Sequence, residues 1–235
     1  MTNQKDFLKF PHIFYLSFNF KSLFIKVIIV GNDNKWVEKT VKEYSNIITD
    51  YVANGSFASL RENVEYHDYK DFAVLIRLAD YNNGFKGDFV YVNEDSYNFL
   101  NKSKLYGDEI IISNVGINVG TVFKCPKLSC PMTLGPNSIL VKMKGNNDFY
   151  YYWFKSPEGQ FKIQSICSGS AQPKFNKTDF RRIKVPVPPL EEQTKIGHIL
   201  NKIDQKIEIN KKINNKLSLK NKYFCFDFYR YYYEV

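Results

Sequence analysis

Residues 185–217 read VPVPPLEEQTKIGHILNKIDQKIEINKKINNKL. Pro186, Pro188 and Pro189 each hold φ near the extended range and bias the preceding residue away from helix, so residues 186–189 are expected to form a stiff linker. Leu190-Glu191-Glu192-Gln193 then reads as a helix start, with proline just before it and carboxylates beside the positive end of the helix dipole. From there Ile196, Leu200, Ile203, Ile207, Asn210, Asn214 and Leu217 recur at alternating spacings of four and three, a heptad seam with two polar positions. A helix over 190–222 would be about 50 Å long. It is too polar outside its seam to stand alone, so it calls for a partner helix. Asn210 and Asn214 fit a role in register or partner choice.

Upstream of this stretch the pattern changes to short elements. Asp71–Asp80 (DFAVLIRLAD) contains an apolar run suited to a buried strand and ends at the turn signal Asn82-Asn83-Gly84. Phe89–Val92, Glu109–Ser113 and Ser138–Met143 read as further strands. Glu94–Leu105 reads as a short helix, and the aromatic, amphipathic Asn147–Gln164 as helix rather than strand. Trp36–Tyr51 is a short amphipathic stretch. Mixed strands and helices separated by glycine turns indicate an α+β domain over 36–185, followed by the long helix.

The chain has 235 residues and a formal net charge of +9, with 33 Lys+Arg against 24 Asp+Glu. The charge is unevenly placed. Residues 36–141 carry ten basic and thirteen acidic residues, whereas 142–184 carry nine (Lys142, Lys144, Lys155, Lys162, Lys174, Lys177, Arg181, Arg182, Lys184) against Asp148, Glu158 and Asp179. That swing implies one positive side and an acidic partner, nucleic acid being the commonest. The apolar stretch 13–30 is interrupted by Lys21 and Lys26 and lacks a following small-residue cleavage site, so neither a membrane span nor a signal peptide is expected. The expectation is a cytoplasmic protein without membrane association.

Enzyme signatures are missing. There is no G-x-x-x-x-G-K-[ST], no H-E-x-x-H, no G-x-S-x-G and none of the Asp-Pro-Pro-Tyr-type tetrapeptides of amino-methyltransferases. Cys125 and Cys130 lack a second pair to complete a metal site, so no metal is expected. Three loops rich in glycine and amides are more informative: Asn54–Arg61 (NGSFASLR), Asn114–Gly120 (NVGINVG) and Cys167–Lys177 (CSGSAQPKFNK). Asn, Gln, Ser and Arg can read base edges, lysines anchor phosphates, and glycine permits close backbone approach. The DNA-binding candidates are Ser56, Arg61, Asn114, Asn118, Gln172, Lys174, Asn176 and Lys177, joined by Arg77 and Lys124 outside the loops.

The segment GSAQPKFNKTDFRRIKVPVPPLEEQTKIGHILNKIDQKIEINKKINNKL (169–217) closely resembles the end of a target-recognition domain and the following helix in the specificity subunit of type I restriction–modification enzymes. Residues 48–64, 71–85, 107–123 and 131–141 look like the rest of one such domain, in order. The resemblance implies a non-catalytic subunit whose recognition domain reads one half of a two-part double-stranded DNA site. It also implies long helices that pack antiparallel as a spacer and dock the methylation subunits, in two copies. S-adenosylmethionine would be bound by the methylation subunits, and ATP and Mg would also be bound by partner subunits, with a restriction subunit joining for cleavage. This chain itself would hold no cofactor.

Two departures from the family pattern stand out. A full member carries two recognition domains and two helices, against one of each here, as in a half-subunit that pairs with a second copy or in a truncated product. Residues 1–35 and the aromatic 223–235 (YFCFDFYRYYYEV) are atypical, as a start assigned too early and a frameshift near Ser218 would produce. The alternative function is a helical interaction protein that binds methylation subunits without specifying a site.

Overall fold

The computed structural model describes residues 36–169 and 171–233, with side chains as far as residue 217. The N-terminal segment 1–35, with its apolar stretch, and the side chains of the aromatic 223–235 lie outside the described residues.

The strands in chain order are β1 (Val37–Thr40), β2 (Ser45–Asp50), β3 (Ala73–Ile76), β4 (Val90–Val92), β5 (Lys104–Leu105), β6 (Ile110–Ser113), β7 (Val122–Lys124), β8 (Met132–Leu134), β9 (Ser138–Met143) and β10 (Lys184–Val187). The helices are α1 (Phe57–Asn63), α2 (Leu78–Asn82), α3 (Glu94–Phe99), α4 (Asn147–Lys155), α5 (Pro157–Ser165), α6 (Lys177–Arg182) and α7 (Leu190–Tyr233). One sheet runs β2-β9-β6-β7, all antiparallel; the other runs β4-β3-β8-β5, with β3 and β8 parallel.

The alternation of side chains explains the layering. In β6, Ile110 and Ile112 join a cluster with Ile139, Val141, Phe149, Trp153 and Phe180, whereas Ile111 faces the opposite way, with Phe123 and Leu140. That second cluster also takes Val74, Ile76, Met132 and Leu134 from the other sheet. Ala73 and Leu75, the alternate residues of β3, pack instead with Tyr51, Leu60, Val92 and Leu100. Two sheets are therefore stacked face to face, with α4, α5 and α6 outside one and α1 and α3 outside the other. Strands buried on both faces read as continuous apolar runs, which is why DFAVLIRLAD and EIIIS stand out in the sequence.

Asn147–Gln164 is helical but broken at Ser156. Its Oγ accepts a hydrogen bond from the Gly159 amide at 3.1 Å and caps α5. A Cβ at Gly159 would lie 2.1 Å from the Trp153 carbonyl, so only glycine lets α5 cross α4 so closely. Glu94–Leu105 is α-helical as far as Phe99, passes through a 3-10 turn at Asn101–Ser103 and finishes as β5, because β8 offers Lys104 and Leu105 a strand to pair with. Trp36–Tyr51 supplies two strands.

The proline-rich stretch departs from a free linker. Lys184–Val187 forms β10 and pairs antiparallel with β1, with Pro186 opposite Glu38 and Val187 opposite Val37. A two-stranded ribbon tolerates a proline that contributes no amide donor, and Tyr150 anchors it by donating to the Pro186 carbonyl at 3.0 Å. Pro188 and Pro189 alone connect this ribbon to α7.

That helix extends further than 190–222, to Tyr233. Its start is seated on the domain by Gln193, which is fully buried. Gln193 donates to the Pro188 carbonyl at 2.8 Å, and its Oε1 accepts from the Asn146 amide at 2.9 Å. Trp36 donates to Glu192 at 2.9 Å, and Tyr152 donates to Asp204 at 2.9 Å. The first two seam positions, Ile196 and Leu200, are consequently buried against α4 in the domain's own core. Ile203 and Ile207 are half-buried, and Asn210, Asn214 and Leu217 are exposed. The part of the seam open to another helix begins beyond Leu200, because α4 already occupies the first positions.

Candidate nucleic-acid interface

Strand register brings the ends of both sheets together. β2 ends with Asp50 opposite Ile139, β6 ends with Ser113 opposite Ser138, and β3 ends with Ile76 opposite Leu134. Only Gly135, Pro136 and Asn137 separate Leu134 from Ser138, so the two sheet ends adjoin. From this end emerge the segment after Asp50, the β6–β7 loop and the β8–β9 turn.

Each loop is tied down. Asn54 donates to Ser103 Oγ and accepts from the Lys102 amide, both at 2.8 Å. In the β6–β7 loop the Gly120 amide donates to the Ser113 carbonyl at 2.8 Å and the Val119 amide to the Gly116 carbonyl at 3.0 Å. Gly116 and Gly120 adopt φ of 97° and 87°, a region that residues with a Cβ rarely enter. Gln160 and Gln164 of α5 donate to the carbonyls of Gly120 and Val119 at 3.0 and 3.2 Å. The third loop is stapled to the second: the Gly116 amide donates to the Pro173 carbonyl at 2.9 Å, and the Phe175 amide to the Asn114 carbonyl at 3.1 Å. The second and third loops thus meet at one end of the sandwich, where the chain also leaves β2 toward Asn54. Residues 57–61 of the first stretch are instead helical, and Arg61 on α1 lies with Asn93, Asp95 and Ser96, just past Val92, which pairs with Ala73 at the start of β3. The long helix α7 starts from the end away from the stapled loops, where Asn146 receives Gln193.

The ten side chains named from the sequence divide into two groups. Six are engaged within the protein. Ser56 and Asn176 cap α1 and α6, accepting from the amides of Ser59 at 3.2 Å and Asp179 at 2.8 Å. Arg77 pairs with buried Asp80 at 2.7 Å and donates to the Asp88 carbonyl at 3.3 Å; the bond to Asp80 raises the guanidinium pKa further. Asn114 donates to the Phe175 carbonyl at 3.2 Å, while its Oδ1 is buried without a partner among the described residues. Lys177 bonds Asp50 at 2.8 Å. Lys124 bonds Asp148 and lies at the other end of the sheet, opposite Ile110. Burial works to raise the pKa of Asp148, but the hydrogen bonds from Lys124 and Asn201 outweigh it and hold the carboxyl below its usual range.

The other four, Arg61, Asn118, Gln172 and Lys174, are exposed, with no side-chain hydrogen bond or ion pair among the described residues. The same division runs through the basic stretch 142–184. Lys144, Lys155, Lys162, Lys177, Arg181 and Arg182 hold carboxylates, carbonyls or a tyrosine hydroxyl. Lys142, Lys174 and Lys184 have no such partner among the described residues. Most of the local positive charge is therefore built into the scaffold, and Lys174 stands free on the loop cluster. Gln160 and Gln164, which hold the loop from behind, lie unmarked inside a helical pattern; glutamines spaced by four on one face are their only signal.

Loops with free amide and cationic side chains, clamped at one end of a two-sheet sandwich from whose far end a long helix starts, define a recognition domain with an attached long helix. The chain belongs to the type I restriction modification DNA specificity domain family, whose model matches residues 33–219. It is 23% identical over 213 residues to the type I restriction enzyme MjaIX specificity subunit of Methanocaldococcus jannaschii, covering 87% of this chain and 46% of that protein. It is 35% identical over 116 residues to the MjaVIII specificity subunit of the same organism, covering 45% of this chain and 24% of the relative. The chain thus spans less than half the length of these relatives. The fold resembles a chain from a structure concerned with complex assembly and conformational transition of the type I R-M system, with a TM-score of 0.57 and 14% identity over 90% of this chain and 51% of that one. It also resembles the HsdS subunit from Thermoanaerobacter tengcongensis, with a TM-score of 0.53 and 15% identity over 84% of this chain and 46% of that one.

Proposed function

We propose that this chain reads one half of a two-part double-stranded DNA site for a type I restriction–modification enzyme, directing adenine methylation and restriction by partner subunits. The observation that carries this reading is the stapling of the second and third loops at one end of the sandwich, where Asn118, Gln172 and Lys174 remain free, with Arg61 exposed on α1. Arg61 and Lys174 neutralise phosphates and position the domain; Asn118 and Gln172 present paired donors and acceptors to base edges. Ser56, Arg77, Asn114, Asn176 and Lys177 shape the loops. Lys124 serves the junction with α7.

The chain itself supplies no catalytic group in this scheme. Partner methylation subunits, two per complex, bind S-adenosylmethionine; ATP and Mg are likewise bound by partner subunits, and the restriction subunit joins for cleavage. The seam of α7 beyond Leu200 meets a second long helix, supplied by another copy of the chain or a second recognition half. The complex works in the cytoplasm, where its DNA lies. Among the described residues no helix is long and apolar enough to cross a membrane.

The test is methylation-sensitive long-read sequencing of a host carrying this chain with its methylation subunit. A methylated adenine motif in two parts, absent when the chain is deleted, is expected. An unchanged methylation pattern would instead favour a helical protein that binds methylation subunits without specifying a site.

A further inference from the structure

Among the described residues, the most exposed large apolar side chain is Ile117, which leaves 94% of its surface in water. It is the residue before Asn118, at the tip of the β6–β7 loop. An isoleucine in that position does not stabilise the loop. The loop is held without it, by Gly116 to Pro173, Val119 to Gly116, Gly120 to Ser113, and Gln160 and Gln164 to the carbonyls behind. A backbone so thoroughly clamped presents its tip in one geometry. What the tip presents is a branched alkyl group beside a free carboxamide, close in sequence to the Asn114 staple that joins it to the Lys174 loop.

These two neighbours match one base pair. In the major groove an A·T pair offers N7 and N6–H2 of adenine, which a carboxamide bonds in bidentate fashion, and on its other half the C5-methyl of thymine, which takes an apolar contact. A guanine–cytosine pair offers no methyl and, at cytosine, a donor. Resting on the recognition role proposed above, we propose that Ile117 and Asn118 together read an A·T pair, Asn118 bonding adenine and Ile117 packing on the thymine methyl. Ile117 then gains on binding the burial that the free protein denies it.

Removal of the thymine methyl isolates this contact, because uracil keeps every hydrogen-bonding group. The assembled complex of the chain with its methylation subunit is titrated against duplex carrying its methylated motif, with each thymine replaced in turn by uracil. The wild type is expected to lose about fourfold in affinity at one position, the effect of burying one methyl group. Ile117→Ala is expected to bind thymine and uracil there equally well, and Asn118→Ala to relax the methylated motif at the same pair. Circular dichroism and melting of both variants should match the wild type, since neither side chain touches the core.

A complex that prefers its motif over scrambled duplex yet responds to no uracil would overturn the assignment while leaving the recognition role intact. Equal thymine-to-uracil ratios in wild type and Ile117→Ala would also overturn it, as contact with a methyl from elsewhere in the chain would then be responsible. A complex with no preference for any motif overturns both readings.

Discussion

The two ends of the sandwich use the same side-chain types for opposite purposes. At the end where α7 begins, amides and cations are consumed internally: Gln193 is fully buried between Asn146 and Pro188, and Lys124 and Asn201 both hold Asp148. At the loop end the backbone is fixed as firmly, but Asn118, Gln172 and Lys174 are left to solvent. A buried amide with both ends bonded rigidifies a junction, whereas a free amide on a rigid loop retains its donors for a ligand. Rigidity is common to both ends, and only partner availability differs.

The largest effect that could break this comparison is expected at the junction end. Trp153→Ala empties a fully buried site in the core that α7 packs on; it should lower unfolding free energy by about 3–5 kcal/mol, read from urea denaturation. Gln193→Leu keeps the volume but orphans the Asn146 amide and the Pro188 carbonyl, and should cost about 2–3 kcal/mol in the same measurement. If Gln193→Leu proved neutral in stability, the junction would not depend on its buried amide and the contrast between the ends would fall.

Lys174 and Lys177, close together in the third loop, sharpen the contrast further. Lys177→Ala breaks the bond to Asp50 and should cost about 1 kcal/mol of stability. Lys174→Ala should leave melting unchanged, weaken binding to all duplexes alike, and reduce the slope of log affinity against log salt by about one. The reverse outcome would mean that the free and engaged groups have been exchanged.

The smallest effect is expected away from both ends. His67 bonds Asp71 at 2.5 Å and lies 3.3 Å from Glu65. The hydrogen bond to Asp71, with help from Glu65, raises the imidazole pKa above its ordinary value. A raised folded value means the stabilisation is complete below the unfolded histidine pKa and is lost as pH rises through the folded one. Denaturation at a series of pH values should show that small decline, and His67→Gln should abolish it without changing DNA affinity.

Element types with strong patterns are legible in the residues themselves. The apolar runs of β3, β6 and β9, the helix from Leu190 and the loops Asn114–Gly120 and Cys167–Lys177 all lie where the sequence indicates, whereas Asn54–Arg61, read as a loop, is mostly α1, because Ser56 caps a helix there. Strands β5 and β8 are not legible: they have two and three residues, too few for alternation to register, and they exist because neighbouring strands complete their hydrogen bonding. The expected proline linker is instead β10 because β1 lies beside it, with Val187 opposite Val37 and Lys184 opposite Thr40. Nothing within residues 184–189 announces that partner.

The sequence by itself determined the class of domain, the long helix and two of the three loops, because periodicity, proline and glycine act locally and leave their mark residue by residue. Only the tertiary structure decided which polar side chains are free. Asn118 and Asn176 are the same residue type in comparable loops, yet one is left to solvent and the other caps α6. Whether an amide is available to a ligand depends on what the fold brings within about 3 Å of it, and that is a property of strand register and helix packing rather than of the residue.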